Sequence, residues 1–263
     1  MYNPSFFGNF DVTSLILSSF VLFFFGLILY LRREDRREGY PLEDDLTGQL
    51  EGPAGVFFSA SPKTFILPHG QGTLSKPNSH RESQDVAALR TARAAGSPLE
   101  PKGDPMLAGV GPGAFAQRAH KPDLMFHGHT KIAPLRVAGD YSIDGVDPRG
   151  MKVIGADGVA AGVVTDIWVD RAEYLVRYLE VAVTPTGPAP PTSIKTVLVP
   201  MTMAVVKKAK KTVVVDAVLG SQFAYAPTLE NPDQITFYEE ERVTAYYGGG
   251  YLYATPARSE PLI

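Results

Sequence analysis

The stretch that decides the fold is Val12 to Leu31, VTSLILSSFVLFFFGLILYL, which is followed directly by Arg32 and Arg33. None of its residues carries a charge. At roughly 1.5 Å per residue, a helix of this length spans about 30 Å, the thickness of the hydrocarbon core of a bilayer. No comparable run occurs elsewhere in the 263 residues. The sequence therefore predicts one transmembrane helix, residues 12–31, and a large water-soluble domain.

The residues flanking this helix predict its orientation. Asp11 is the only charged residue on the N-terminal side, whereas arginines crowd the C-terminal side (Arg32, Arg33, Arg36 and Arg37). Positive charge stays on the cytoplasmic side of a membrane, so we expect residues 1–11 to face outward and the chain from residue 32 to be cytoplasmic. A cleaved signal is disfavoured, because no Lys or Arg precedes the apolar run and no small-x-small cleavage site follows it.

The composition limits the kinds of site and partner. Cysteine is absent, which excludes disulfides and thiolate metal centres. The net charge of -3 gives no reason to expect a nucleic-acid partner. Residues 32–135 hold half of the 22 prolines, and we interpret them as an extended wrapping segment. The segment contains three groups of apolar residues, which we expect to be buried against the chain's own domain or a partner (residues 56–58, 64–67 and 123–126).

Residues 136–225 have a different pattern, typical of short strands. Runs rich in β-branched and aromatic residues are separated by Gly, Asp or Pro (residues 152–155, 162–169, 178–183, 196–200, 204–206 and 212–215). Such spacing predicts a small antiparallel sheet or β-barrel. Asp157-Gly158 and the lysine-rich run 207–211 mark two hairpin turns. The lysine run is either a soluble hairpin tip or a contact with anionic lipid headgroups.

Residues 226–263 predict a helix and an irregular tail. The helix is expected over 236–247, with Asn231 or Asp233 as the N-cap and three glutamates, 239–241, exposed in its first turns. The three glycines at 248–250 lower helix propensity and predict its end. We assign no chemistry to the glutamates.

The pair His127 and His129 is the clearest cluster of titratable residues. In extended chain the two imidazoles point to the same side, and each titrates near pH 6.5. Such a pair can collect protons or bind a transition metal, although two His around a Gly also occur in ordinary polar loops.

A series of short segments is distributed in order along nearly the whole chain: 8–11 (GNFD), 37–43 (REGYPLE), 62–70 (PKTFILPHG), 103–106 (GDPM), 109–112 (GVGP), 127–129 (HGH), 166–170 (DIWVD), 177–181 (RYLEV), 249–250 and 253–254. Each segment alone is a weak signal, but together they are specific. Through them the chain resembles the H subunit of the photosynthetic reaction centre of purple bacteria.

This resemblance implies a fold, a location and partners. The fold is one transmembrane helix and a mainly-β cytoplasmic domain, a small PRC-type β-barrel, with long irregular segments and a C-terminal helix. The subunit is expected in the bacterial inner (photosynthetic intracytoplasmic) membrane, with a periplasmic N-terminus. It would cap the L and M subunits, alongside a cytochrome subunit and a light-harvesting ring. Those partners, and not this chain, would hold bacteriochlorophyll, bacteriopheophytin, quinones, non-haem iron and carotenoid.

The resemblance also implies a role in moving protons toward the secondary quinone. A relay needs titratable groups within hydrogen-bond reach of one another. Glu173 and Arg177 match family positions beside the proton path, and Asp170 precedes them. If the chain turns helically after Val169, Glu173 and Arg177 lie at i and i+4, which alone indicates a surface ion pair.

The His pair matches the point where protons enter, which in the family also binds inhibitory metals. There the family often has a carboxylate two residues before the first His. This chain has Met125 at that place, and Asp123 is the nearest substitute.

Two further expectations complete the interpretation. Tyr30, Arg32 and Arg33 lie at headgroup depth and are candidate lipid contacts, although snorkelling alone explains them.

The alternative function is a membrane-tethered PRC-barrel assembly or adaptor protein without a part in proton transfer. An enzyme is not expected, because the chain has no Cys and no Gly-rich phosphate loop in a strand–helix context.

Overall fold

A computed structural model describes residues 5–7, 10–52, 55, 59–78, 86–184 and 195–259. The predicted apolar group at 56–58 lies outside these residues. Contacts divide the chain into two units, each described by itself. The first holds the described residues of 1–84 together with 93–96, and the second those of 85–92 and 97–263.

The first unit is dominated by the apolar helix. Strands β1 (Ser5–Phe7) and β2 (Phe10–Asp11) pair antiparallel and lead into helix α1 (Val12–Asp35). Asp11 caps α1 by accepting a hydrogen bond from the Ser14 amide at 2.7 Å. Strands β3 (Lys63–Ile66) and β4 (Thr73–Lys76) form a hairpin. By length and composition α1 can cross a membrane, as predicted, and it continues for one turn past Leu31.

The second unit holds the remaining helices and strands. A small hairpin joins β5 (Ala88–Arg90) and β6 (Leu99–Pro101). The main elements follow in chain order: β7 (Ile132–Pro134), α2 (Leu135–Ala138), β8 (Lys152–Ile154), β9 (Ala160–Asp170), β10 (Leu175–Val183), β11 (Thr196–Pro200), β12 (Val205–Lys207), β13 (Thr212–Val214) and α3 (Phe237–Tyr253).

Seven of these strands form one sheet in the order β11-β10-β9-β8-β13-β12, with β7 also paired to β9. The predicted antiparallel arrangement is correct for every pair except β13 and β8, which run parallel. Within the described residues the sheet is not closed, since β11 and β12 end the order. The Asp157-Gly158 turn is confirmed, with Gly158 at a φ of +74°, and so is the lysine turn between β12 and β13.

The core of this unit lies between the sheet and α3. Strands β9 and β10 contribute Trp168, Ile167 and Leu179, all fully buried. Tyr247 of α3 packs against Phe223 in an edge-to-face arrangement, with ring centroids 6.0 Å apart. Ile167 and Trp168 are consecutive in β9 and point to opposite faces, so the sheet is covered on both faces at this place.

Helix α3 differs from its prediction at both ends. Thr236, not Asn231 or Asp233, is the N-cap, and it forms a capping box with Glu239. Glu239 is consequently buried, so the expectation that all three glutamates are solvated is wrong. The helix also continues through the glycines to Tyr253. A Cβ on Gly250 would lie 2.3 Å from the Ala217 carbonyl oxygen, so close packing requires glycine at this place.

In the described part of the wrapping segment, the regular structure consists mainly of the end of α1, the β3–β4 and β5–β6 hairpins, a single 3-10 turn and β7. Two of its apolar side chains are strongly exposed within the chain alone. Ile66 is 87% exposed and Phe126 is 90% exposed. These side chains are not buried against the chain's own described residues.

Candidate functional site

The candidate site centres on the ammonium group of Lys131. Its Nζ lies 3.1 Å from Oε1 of Glu173, 3.4 Å from Oδ2 of Asp170 and 4.0 Å from Oδ2 of Asp123. Three acidic residues therefore share one cation. The hydrogen bond to Glu173, followed by the charge of Asp170, raises the pKa of Lys131 although partial burial opposes the shift.

Strand pairing brings these residues together from distant parts of the chain. In the β7–β9 ladder Ile132 faces Asp170, which places Lys131 beside the end of β9. Arg171 strengthens the junction, because its guanidinium bonds the Thr130 carbonyl oxygen and its amide donates to the Lys131 carbonyl oxygen at 2.9 Å. The site thus rests on the sheet instead of a free loop.

Asp170 is the most unusual member, since it is a fully buried carboxylate. Its Oδ1 accepts hydrogen bonds from the amides of Ala172 and Glu173, both at 3.0 Å. Its Oδ2 is buried and has no hydrogen-bond partner among the described residues. Lys131, 3.4 Å away, supplies the compensating charge that a buried carboxylate needs.

Glu173 and Arg177 do not form the predicted helical pair. Residues 171–174 make a turn in which Tyr174 has a φ of +57°, and Arg177 then lies on strand β10. Within the described chain no ion pair joins Glu173 to Arg177, and Glu173 pairs with Lys131 instead. The helical expectation is wrong because the end of β9 folds back directly into β10.

A cleft of about 190 Å³ opens beside Lys131. Charged side chains from four elements or loops line it, together with Ile132 and Phe237 (Arg118, Asp123, Lys131, Arg177, Glu240 and Glu241). The amide of Phe237 bonds the Lys121 carbonyl oxygen, and Pro122 forms a β-bridge with Thr236. These contacts hold the Asp123 segment against the first turn of α3.

Glu240 is a member of the cleft that the sequence interpretation missed. Its Oε2 accepts a hydrogen bond from the Tyr178 hydroxyl at 3.1 Å. Burial raises the pKa of Glu240, while Tyr178 and Arg177 oppose the shift. Burial also raises the pKa of Tyr178, and the charge of Glu240 adds to the rise. Glu240 is therefore half-buried and bonded, and the prediction of a solvated glutamate at this position is wrong.

The residues His127 and His129 lie on a tight turn. The Met125 amide bonds the His129 carbonyl oxygen at 2.8 Å, and Gly128 between the histidines has a φ of +81°. The expectation of extended chain is therefore wrong, because the turn closes between Leu124 and Thr130, which form a β-bridge. Both imidazoles are exposed.

No metal cluster accompanies this turn. Within the described residues, no group of three or more His, Asp or Glu side chains is arranged to hold a metal ion. Two His alone supply too few ligands for a closed site. A metal at His127 and His129 would need further ligands from water or from another chain.

The predicted lipid contacts lie in the first unit, at the end of α1. Tyr30 is half-exposed, and Arg33 donates to the Ser61 hydroxyl at 2.9 Å. Arg32 and Arg36 border a cleft of about 230 Å³ with Asp35 and Tyr40, and Arg36 also pairs with Glu51 at 3.2 Å. Of the predicted lipid contacts, Arg33 is therefore bonded within the protein, and Arg32 borders the cleft.

Two family models match the chain. Residues 4–137 match the photosynthetic reaction centre H-chain N-terminal region, and residues 142–222 match the PRC-barrel domain. The first match spans just over half of the chain, and the two together cover α1 and all seven strands of the main sheet. They confirm the resemblance drawn from the short segments and the expected fold class.

Proposed function

The chain belongs to the H-subunit family of the photosynthetic reaction centre, and from this we propose that it caps the cytoplasmic face of the L and M subunits, shields their quinones and helps deliver protons to the secondary quinone. As a reaction-centre subunit it is an accessory and not an enzyme. The pigments, quinones and iron of the complex would then reside on the partner subunits.

Exposed apolar side chains support the capping role. Ile66 and Phe126 are almost fully exposed in the chain alone, in segments that carry the family likeness or adjoin it. Large apolar side chains at such exposure are typical of surfaces that a partner covers. We propose that the wrapping segment binds the partner subunits through such side chains.

The single observation that supports the proton role is the Lys131 cluster, which consists of Lys131, Asp123, Asp170 and Glu173. Glu173 is half-exposed, whereas Asp170 is fully buried, and one ammonium group contacts both. A proton acceptor at the surface is thus linked to a carboxylate inside the domain. Asp123, Arg177 and Glu240 extend the charged path along the adjoining cleft. Groups so close to one another can pass a proton through hydrogen bonds, directly or through water.

The test is the variant Glu173→Gln in the intact complex. We expect slower proton-coupled reduction of the secondary quinone after light flashes, because the amide cannot exchange a proton with Lys131 or water. The pigment spectrum should stay normal. Glu100→Gln is the matched control, since Glu100 is an exposed glutamate on β6 of the same unit. Kinetics equal to those of the control would remove Glu173 from the proton path.

The exposed turn and the end of α1 have subsidiary roles in this proposal. His127 and His129, with Asp123 nearby in sequence, would collect protons from the cytoplasm, and any metal at the pair would inhibit that uptake. Tyr30, Arg32 and Arg33 would contact lipid headgroups. The neighbouring Arg32–Arg36 cleft supports a lipid contact at this depth.

A further inference from the structure

Strands β12, β13 and β8 carry positive charge and apolar surface without any acidic residue. The outward positions across β12, β13, β8 and β9 run Lys207, Thr212, Lys152 and Val163 in one row. The next row contains Val205, Val214 and Ile154. None of the nine residues of β12, β13 and β8 is acidic. The turn between β12 and β13 adds Lys208, Lys210 and Lys211.

We call this surface the basic face and define it by five lysines and two exposed valines: Lys152, Lys207, Lys208, Lys210, Lys211, Val163 and Val205. All five lysines are exposed, Val205 is 57% exposed and Val163 is 39% exposed. Among the described residues, none of the five ammonium groups makes an ion pair or a hydrogen bond. Nearby Asp157 and Asp216 each accept a hydrogen bond from within the unit.

Three arginines of the same unit, unlike these five lysines, pair with carboxylates. Arg118 pairs with Glu241 at 2.8 Å, Arg136 with Glu180 at 2.8 Å, and Arg149 with Asp147 at 2.5 Å. Arginine is suited to defined carboxylate partners, whereas lysine is a hydrated point charge on a flexible stem. A face built from lysine alone therefore fits a diffuse negative surface better than a specific acidic peptide.

We propose that the basic face binds the anionic phospholipid headgroups of the membrane to which α1 anchors the chain. The lysines would contact lipid phosphates, and Val205 and Val163 would rest against the headgroup layer. The anchor keeps the unit near the bilayer, so association needs only a weak attraction at a high effective concentration. This proposal is independent of the proton role, since it shares no residue with the Lys131 cluster.

The test uses a single fluorescent label in the lysine turn. The chain contains no cysteine, so Ala209→Cys labels one position uniquely in the full-length chain purified with its partners. The complex is placed in nanodiscs of phosphatidylcholine alone, or of equal parts phosphatidylcholine and phosphatidylglycerol, each with a doxyl-lipid quencher. We expect the lipid to quench the label more strongly in the anionic discs. About 1 M salt should abolish the difference, because the Debye length then falls to about 3 Å.

The lysines themselves are tested by replacing Lys207, Lys208, Lys210 and Lys211 with Gln in the labelled chain. Quenching in anionic discs should fall to the phosphatidylcholine level, whereas Lys102→Gln, at an exposed lysine elsewhere in the unit, should change nothing. Equal quenching in both lipids, or an unchanged four-lysine variant, would overturn the proposal and leave the turn as a soluble tip. Protection of the label from a water-soluble quencher in phosphatidylcholine discs would also overturn the proposal. Without anionic lipid in the disc, such protection would mean that a partner protein covers the basic face.

Discussion

At the scale of single residues, the contact between Lys131 and Asp170 matters both for the stability of the fold and for the proposed proton path. Lys131→Met leaves the fully buried Asp170 carboxylate without its nearby cation, so we expect a loss of about 2 kcal/mol in the free energy of unfolding. The measurement is chemical unfolding of the full-length chain in mild detergent. Its signal is the fluorescence of Trp168, which is the only tryptophan and fully buried.

A second variant separates this charge effect from simple loss of packing. Asp170→Asn keeps an oxygen that can accept from the amides of Ala172 and Glu173 but removes the negative charge. The double variant Lys131→Met with Asp170→Asn should therefore recover part of the stability that Lys131→Met loses. If the double variant is as unstable as the sum of the single variants, Lys131 does not act on Asp170.

The raised pKa of Glu240 makes the free energy of unfolding fall as the pH rises. Burial raises its pKa in the folded chain above the unfolded value of 4.5. Its contribution to stability is therefore fully present below pH 4.5 and is lost as the pH rises through the raised folded value. We expect Glu240→Gln to become more stable relative to the parent chain as the pH rises toward about 7. Unfolding curves of both chains at several pH values measure this, and a constant difference contradicts it.

At the scale of elements, α3 illustrates how packing overrides helix propensity. Replacing a helical glycine with alanine normally stabilises a helix by about 1 kcal/mol. At Gly250 the added Cβ would meet the Ala217 carbonyl oxygen at 2.3 Å, and backbone at that distance has to move. We expect Gly250→Ala to lower the free energy of unfolding by about 2 kcal/mol.

Gly249→Ala is the matched comparison within the same helix. Its Cβ would find its nearest neighbour, the Gly113 Cα, at 3.3 Å, so a shift of a few tenths of an ångström suffices. Gly249→Ala should therefore be the milder change in thermal or chemical unfolding. A ranking in the opposite order would show that close approach to Ala217 is not what holds glycine at position 250.

The same elements show how far the sequence predicts the fold. Runs such as 152–155 and 212–215 located β8 and β13, because short runs rich in β-branched residues and bounded by turn residues are typical of strands. The composition of a run carries no information on strand direction, so the parallel pairing of β8 and β13 was not predictable from it. Strand β7, Ile132–Pro134, was missed because three residues ending in proline give almost no pattern. The N-cap of α3 could have been predicted from the sequence, because Thr236-x-x-Glu239 is a capping-box signature.

Some residues of the candidate site were predicted from the sequence, and others were not. Asp123, Asp170 and Glu173 were identified in the sequence, and the structure brings all three to one ammonium group. Lys131 and Glu240 were not, because their relation to Asp170 and Tyr178 depends on the β7–β9 ladder and on the docking of α3. A lysine two residues after a histidine, or a second glutamate in a helix, carries no local sign of such a partner.

At the scale of the whole molecule, the asymmetry of charge about α1 predicts topology. Asp11 caps one end, while arginines occupy and follow the last turn (Arg32, Arg33, Arg36 and Arg37). Arg37 is fixed there by Glu34, at 2.8 and 3.0 Å, and by the Lys76 carbonyl oxygen at 3.2 Å. Because Lys and Arg are enriched on the cytoplasmic side of membrane helices, this asymmetry predicts a cytoplasmic location for the cluster.

We therefore expect protease to reach the β-sheet unit from one side only. In intact cells with permeabilised outer membranes the chain should resist digestion, whereas membrane vesicles turned inside out should lose everything beyond α1. The exposed turns of the unit, such as Asp157-Gly158, supply cleavage sites in the second case. Detergent-solubilised membranes, in which both faces are open, are the control for intrinsic resistance. Digestion from the outer side of intact cells would reverse the orientation and remove the basis for a cytoplasmic proton path.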